Sequence, residues 1–266
     1  MPQKYVLASN TSSINKHFNL ESSHQDFKNN LIITPGNQSL IITQENPHKL
    51  TVSTFGLTPS WSKQPMQIIN ARAEGDKNPE NNPNYSGSKA IFLKKSFRNP
   101  LFNKRCIVIA DAFISYCSDQ PFLVYLKGKK RPFGMAGIYD IWTDPATGEK
   151  LHSYAIITVP ANNLLQKIPV SRMPVILPYG AETSWLKASN HLHDILAKII
   201  QYPSKAMNAH QISKEVDTTA TTEMLRPIGE KLASEVRKIS FPSSHYVSKK
   251  KPTEPGKLWF DNSPKS

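Results

Sequence analysis

The chain has 266 residues, enough for one sizeable domain with an extension, and 38% of them are hydrophobic, as in a folded protein. No apolar run approaches the roughly 20 residues that span a bilayer, and residues 1–10 lack the order of a secretory signal. The net charge of +13, most of it in residues 1–217, favours a polyanion such as nucleic acid, with an inert basic surface as the alternative. Cys106 and Cys117 make neither a disulfide framework nor a zinc site, so we expect reduced thiols and a cytoplasmic protein, nucleoid-associated in a bacterium.

Short runs rich in β-branched and apolar residues predict the strands. Residues 31–34 and 40–43 predict two strands around a Pro-Gly-Asn turn, and residues 75–88 predict a polar loop. Further buried strands are predicted at 106–110, 122–126, 133–138 and 154–159. The basic residues 128–131 predict a hairpin turn between two of these strands.

Helical spacing occurs between and after the strands, at 161–167, 181–186 and 193–201, without a regular βαβ alternation. This pattern predicts an α+β fold: a curved mixed or antiparallel sheet, open and barrel-like, with flanking helices. We expect one domain over residues 1–217 and a helical extension over 218–240, with one amphipathic helix at 221–238. Residues 241–266 are rich in Ser, Pro and Lys and are expected to form a disordered basic tail.

Four segments in a fixed order resemble a known family. They are FGLTPSW at 55–61, NARAE at 70–74, KRCIVIADAF at 104–113 and SRMPVIL at 171–177. Their order and spacing within residues 1–210 resemble the SOS-response-associated peptidase family, whose bacterial and animal members crosslink to abasic sites in DNA. The resemblance implies that family's fold and a role with damaged single-stranded DNA.

The same resemblance implies three catalytic groups, and this chain has other residues at all three positions. An N-terminal cysteine of the family supplies an amine and a thiol, a glutamate transfers protons, and a histidine assists ring opening or crosslink reversal. The corresponding residues here are Pro2, Ser115 and Val170. Neither Ser115 nor Val170 can act as a proton-transferring carboxylate or imidazole, so we assign no catalytic residue and expect neither crosslinking nor peptidase activity.

The non-covalent part of the family pattern is retained. Asn70 matches an asparagine that orients the abasic sugar, Arg72 and Arg172 match arginines that hold phosphates, and Lys4 keeps the charge of a third. Trp61 matches an aromatic residue that packs on an exposed base. Without the resemblance, Trp61 is more typical of a core, Arg72 and Glu74 of a surface ion pair, and Asn70 of a turn.

A basic run between Lys89 and Arg105 has six Lys/Arg and no Asp/Glu, interleaved with Phe92, Phe97 and Phe102. This run is typical either of a surface that tracks a single strand or of a solvated face above core phenylalanines. No residue cluster predicts a metal site, and no glycine loop predicts a phosphate-containing cofactor.

Three functions follow as hypotheses. The first is non-covalent binding of single-stranded or abasic DNA through Lys4, Trp61, Asn70, Arg72 and Arg172. The second is an abasic-site crosslinker or lyase in which removal of Met1 exposes the Pro2 amine as the nucleophile; Asp111 and Glu74 are then candidates for the missing acid–base groups. The third is a protein-interaction scaffold that no longer binds DNA.

Overall fold

Within residues 3–21, 27, 30–128, 131–188, 191–218 and 220–233, which the computed structural model describes, twelve strands form two sheets. The strands are β1 (Lys4–Val6), β2 (Ile32–Ile33), β3 (Gln38–Thr43), β4 (Leu50–Phe55), β5 (Asn70–Arg72), β6 (Arg105–Ala110), β7 (Ala112–Cys117), β8 (Gln120–Leu126), β9 (Phe133–Thr143), β10 (Lys150–Pro160), β11 (Arg172–Pro174) and β12 (Met207–Gln211). The predicted strands at 106–110, 122–126, 133–138 and 154–159 lie within β6, β8, β9 and β10 and are confirmed.

The larger sheet closes into a small barrel. Its strands β3, β4, β6, β9 and β10 form a ring, because β10 pairs antiparallel with β9 along one side and parallel with β4 through Ser153 and Tyr154 on the other. The strands β5 and β11 extend the sheet beyond this ring, both paired with the C-terminal half of β10. The predicted curved mixed sheet is thus confirmed, but the barrel is closed rather than open, which leaves its five strands without free edges.

The second sheet is antiparallel, with the strand order β12, β8, β7, β1, β2. Each of its central strands, β8, β7 and β1, has apolar residues on both faces. Alternation along β1 places Tyr5 in the main core, which fills the barrel, and Val6 on the opposite face. The opposite face is covered by the segment that follows β12, through Ile212 and Val216. The C-terminal part of the described chain therefore packs against the strand that carries the N-terminus.

Four α-helices occur in the described residues: α1 (Thr11–Phe18), α2 (Lys95–Asn103), α3 (Asn163–Gln166) and α4 (Leu192–Ala197). The last two lie within the helical predictions 161–167 and 193–201 or overlap them, whereas the prediction at 181–186 forms a 3-10 helix, Glu182–Trp185. The helix α2 occupies most of the basic run and buries Phe97 and Leu101 against the barrel. Phe92 and Phe102 are half-buried on the same core, so the phenylalanines of this run are mainly core residues.

Two predictions about connections are wrong. Residues 128–131 do not make a hairpin turn, because the flanking strands β8 and β9 belong to different sheets; residues 129–130 lie outside the described part. The helix predicted at 221–238 is absent from residues 220–233, where only Glu223–Leu225 form a 3-10 turn. Instead, Ile228 N–H and Leu232 N–H donate to carbonyls of β12, so this segment belongs with the domain; the predicted tail at 241–266 lies outside the described residues.

Candidate nucleic-acid interface

Two of the predicted binding residues lie on the short strand β5. Asn70 and Arg72 pair with Ile156 and Thr158 of β10, and residues two apart on a strand point to the same side. Both side chains are partly exposed, beside the barrel rather than within it. The sequence motif NARAE therefore presents an amide and a guanidinium together on one face.

Arg172 lies behind this pair and is fully buried, with 0% of its surface exposed. Its guanidinium makes a bidentate ion pair with Glu74 and also donates to the carbonyl and hydroxyl oxygens of Thr158. Burial alone would raise the pKa of Glu74, but the hydrogen bond and charge of Arg172 outweigh it and hold that pKa below its ordinary value. The placement does not support the direct phosphate contact predicted for Arg172, because its donors already satisfy a buried carboxylate; its observed role is to fix β11, β10 and Glu74 together.

Arg72, by contrast, is held loosely. Its guanidinium lies 3.5 Å from the Asn78 carbonyl and the Asn81 amide oxygen and 3.8 Å from the Asp76 carboxylate, and about a third of the side chain is exposed. Asp76 makes its shorter contact, 2.7 Å, with Lys94 just before α2. Contacts of this length at the surface contribute little to stability, so Arg72 is free to turn towards an incoming phosphate.

Trp61 lies beside the start of α2, where Lys95 Nζ is 4.3 Å from the centre of its ring. The side chain is 46% exposed, so the alternative of a core tryptophan is wrong. The loop that carries Trp61 is anchored by Asp140, which accepts a hydrogen bond from Ser60 N–H and forms an ion pair with Lys104. Lys94 contacts Asp76, the carboxylate beside Arg72, and Lys95 contacts the Trp61 ring. The start of α2 therefore lies between the two predicted binding residues Arg72 and Trp61.

Lys4 lies on the other sheet, and its ammonium is engaged. It donates to Asp217, whose same carboxylate oxygen also accepts a hydrogen bond from Tyr116. Only 20% of the Lys4 side chain is exposed. Nothing in the sequence pointed to Asp217, which is 213 residues from Lys4 along the chain.

The two described positions that the resemblance assigns to the family's acid–base groups are closed to solvent. Ser115 on β7 is 1% exposed, its hydroxyl has no hydrogen-bond partner within the described structure, and Val170 is 5% exposed in the main core. Pro2 lies outside the described residues. Neither described position holds a titratable side chain.

The two carboxylates considered as replacements are structural. Asp111 accepts hydrogen bonds from Ala8 N–H, Ser9 N–H and the Ser9 hydroxyl, which fixes the chain after β1. Glu74 is committed to Arg172. Both cysteines are free thiols, and burial raises the pKa of Cys106 well above its ordinary value, which keeps it protonated and unreactive. Among the described residues, no group of three or more His, Cys, Asp or Glu side chains is placed to hold a metal ion.

A pair of buried tyrosines joins the N-terminal strand to the barrel. The hydroxyls of Tyr5 on β1 and Tyr154 on β10 are 2.6 Å apart, and Phe55 packs against both rings. Burial raises the pKa of both phenols, so they stay neutral hydrogen-bond partners. This contact sets where β1, and hence Lys4, lies relative to β10.

Known proteins are similar to this chain in sequence and in fold. The chain is 31% identical to the abasic site processing protein YoqW of Bacillus subtilis over 227 residues, which covers 81% of this chain and 93% of YoqW. It is 30% identical to the abasic site processing protein HMCES of Gallus gallus over 213 residues, covering 69% of this chain and 59% of HMCES.

Among solved structures, a protein from Bacteroides thetaiotaomicron matches with a TM-score of 0.72 at 23% identity, covering 85% of this chain and 99% of the other. A protein from Bordetella bronchiseptica matches with a TM-score of 0.61 at 22% identity. At these identities the two structures show a shared fold. The family model described as SOS response associated peptidase (SRAP) matches residues 1–219, nearly all of the described domain. The chain therefore belongs to the SOS response associated peptidase family.

Proposed function

We propose that this protein binds single-stranded DNA that carries an abasic site and holds it without a covalent crosslink. The observation that carries the proposal is the contrast between two sets of positions. Trp61 is exposed and Asn70 and Arg72 are partly exposed, although the Asn70 side-chain oxygen is itself buried. Ser115 and Val170, which the resemblance places at the family's acid–base positions, are buried and cannot ionise. Its relatives named abasic site processing proteins support the choice of substrate.

In this proposal the β5 face supplies the polar contacts. The Asn70 amide orients the open sugar, and Arg72 leaves its contacts of 3.5–3.8 Å to hold the neighbouring phosphate with two parallel N–H donors. Trp61 stacks on an adjacent base, a contact worth roughly 1–3 kcal/mol. Arg172 contributes by positioning Glu74 and β11 beneath this face. The proposed place of action is the cytoplasm, where thiols stay reduced, and the nucleoid in a bacterium.

The test combines binding with chemical trapping. Purified protein, with its N-terminus identified by mass spectrometry, is mixed with a single strand that contains one abasic site, with and without borohydride. We expect binding that weakens as salt rises, because phosphate contacts release counterions, and no adduct under either condition. Undetectable binding to both intact and abasic strands would overturn the proposal and favour the scaffold hypothesis.

A borohydride-dependent adduct would favour the second candidate, in which the Pro2 amine forms an iminium with the abasic aldehyde. Retention of Met1 blocks that amine, so the adduct should disappear from unprocessed protein. An adduct that survives retention of Met1 would instead point to the α-amine of Met1 or to a lysine amine.

A further inference from the structure

Four of the six cations between Lys89 and Arg105 have fixed partners. Lys89 donates to the Leu196 carbonyl, Lys94 pairs with Asp76 and Lys104 pairs with Asp140. Arg105 is buried and donates to four backbone carbonyls. These four residues explain much of the charge run without a ligand.

The other two cations, Lys95 and Arg98, are exposed and have no carboxylate partner within the described residues. Three residues apart on α2, they lie on the same side of the helix. We call the exposed side of α2, together with Leu93 just before it, the α2 face. This face borders a groove of about 550 Å³, which is lined by Leu93, Lys95, Arg98, Asn99, Phe102 and Asn103. The groove thus combines two cations, two amides and the apolar side chains of Leu93 and Phe102, and none of its lining residues is acidic.

Trp61 extends the α2 face at its N-terminal end. Its exposed ring lies 4.3 Å from Lys95 Nζ, and the Asp140 contacts to Ser60 and Lys104 fix the tryptophan loop to the far end of the same helix. The β5 face is connected to the other side of the helix start through Arg72, Asp76 and Lys94. A polyanion on β5 that passes Trp61 would therefore meet Lys95 and then Arg98.

We propose that the α2 face is a second subsite for single-stranded nucleic acid, continuous with the β5 face. Lys95 and Arg98 hold two successive phosphates, and Trp61 stacks on the base between the two faces. Asn103 Nδ2 donates to Asn99 Oδ1, so this amide pair offers its remaining N–H groups and the Asn103 oxygen to base edges. An acidic peptide would satisfy the cations but would leave the exposed indole without a stacking partner, whereas every base has a face for stacking. This inference rests on the proposed function, because the strand enters from the abasic site.

The experiment compares strand lengths. An abasic strand of about 4 nucleotides is confined to the β5 face, and one of about 16 reaches the α2 face as well. The double variant Lys95→Ala/Arg98→Ala should weaken binding of the long strand by about 10- to 30-fold at 0.1 M salt and lower the salt slope by about 1.4, the contribution of two phosphates. Its affinity for the short strand should fall by much less than its affinity for the long one, because Asn70 and Arg72 are untouched and only the Lys95 contact with the Trp61 ring is lost. Alanine is the best helix former, so α2 should persist.

Lys205→Ala is the matched control, because Lys205 is an exposed lysine in the 3-10 helix Ser204–Ala206 next to the other sheet. It should bind both lengths as the unmodified protein does. Equal affinity of the double variant and the control for the long strand would overturn the inference, while a loss of short-strand binding in Arg72→Ala would leave the proposed function in place.

Two other outcomes also decide the question. If poly-glutamate competes as strongly as an undamaged single strand, the α2 face is a general polyanion surface and the inference is wrong. If the unmodified protein binds neither length, the proposed function fails and the α2 subsite fails with it.

Discussion

The Lys4 ammonium lies 2.5 Å from Asp217 Oδ1, so the end of the family domain holds the strand that carries the N-terminus. Tyr116 donates to the same oxygen, and Val216 packs beside it against the face of the second sheet. Burial acts to raise the pKa of Asp217, but the two hydrogen bonds and the Lys4 charge lower it below its ordinary value. A phosphate that binds Lys4 must therefore compete with a carboxylate that is ionised at neutral pH.

Asp217→Asn should strengthen DNA binding. An amide still accepts the hydrogen bonds but no longer neutralises Lys4, so one more cation becomes available and the salt slope should steepen by about 0.7. Anisotropy titrations over a range of salt concentrations measure both quantities. Glu223→Gln, which removes an exposed carboxylate paired with Arg226 in the same segment, is the control and should bind as the unmodified protein does. Unchanged affinity in Asp217→Asn would show that Lys4 does not contact the strand.

Glu74→Gln should be strongly destabilising at neutral pH. It leaves the Arg172 guanidinium buried without its counter-charge, which typically costs 3–5 kcal/mol. Replacing both residues, as in Glu74→Leu/Arg172→Met, should recover much of that loss. Urea unfolding of the unmodified protein, Glu74→Gln and the double variant gives the three free energies, and a double variant no more stable than Glu74→Gln would contradict the pairing.

The same pair predicts a pH dependence of stability. The pKa of Glu74 is lower in the folded state than its ordinary 4.5, so its ionisation stabilises the fold above about pH 4.5, and this contribution is lost as the pH falls through the folded pKa. The difference in unfolding free energy between the unmodified protein and Glu74→Gln should thus be constant near neutrality and shrink in acid. A difference that stays constant down to acid unfolding would contradict this.

Local patterns in the sequence predicted the elements better than the connections between them. The runs of β6, β9 and β10 are readable because small and apolar residues fill both buried faces of a barrel strand. The helix α1 was missed because only Ile14 and Phe18 are buried on it, although Asn10 caps its start. The helix predicted at 221–238 had the right apolar spacing, but Pro227 and Gly229 oppose a continuous helix, and the backbone pairs with β12 instead.

The candidate site was predictable in part for a related reason. A family motif identifies Trp61, Asn70 and Arg72, which the structure leaves accessible. The same motif cannot tell a phosphate-binding arginine from a buried one, because that depends on Glu74, 98 residues from Arg172 along the chain. Asp217 as the partner of Lys4, and Lys95 as the partner of the Trp61 ring, could not be predicted either, because tertiary packing brings each pair together.

The tyrosine contact between the sheets gives a stability prediction. Tyr154→Phe removes one hydroxyl of a buried 2.6 Å hydrogen bond and should cost about 1 kcal/mol, or more because the Tyr5 hydroxyl loses a partner. Tyr5→Phe/Tyr154→Phe should be less destabilising than the sum of the single changes. The control is Tyr85→Phe, whose hydroxyl donates at the surface to Ser88. Additive single and double changes would show that the two hydroxyls do not depend on each other.

Restoring the family's chemical groups tests whether the site is otherwise intact. If only the reacting groups were lost, Pro2→Cys/Ser115→Glu/Val170→His, with Met1 removed, should accumulate a covalent adduct on an abasic strand without borohydride. Both new polar groups enter positions that are now 1% and 5% exposed, so the triple variant should also be less stable, and a thermal melt must first show that it is folded. Pro2→Cys alone is the control and should react more slowly, because the proton-transfer groups are missing. A folded triple variant that binds the strand but forms no adduct would mean that the barrel does not place the sugar beside the N-terminus, so that the site departs from the family pattern at more than these three positions.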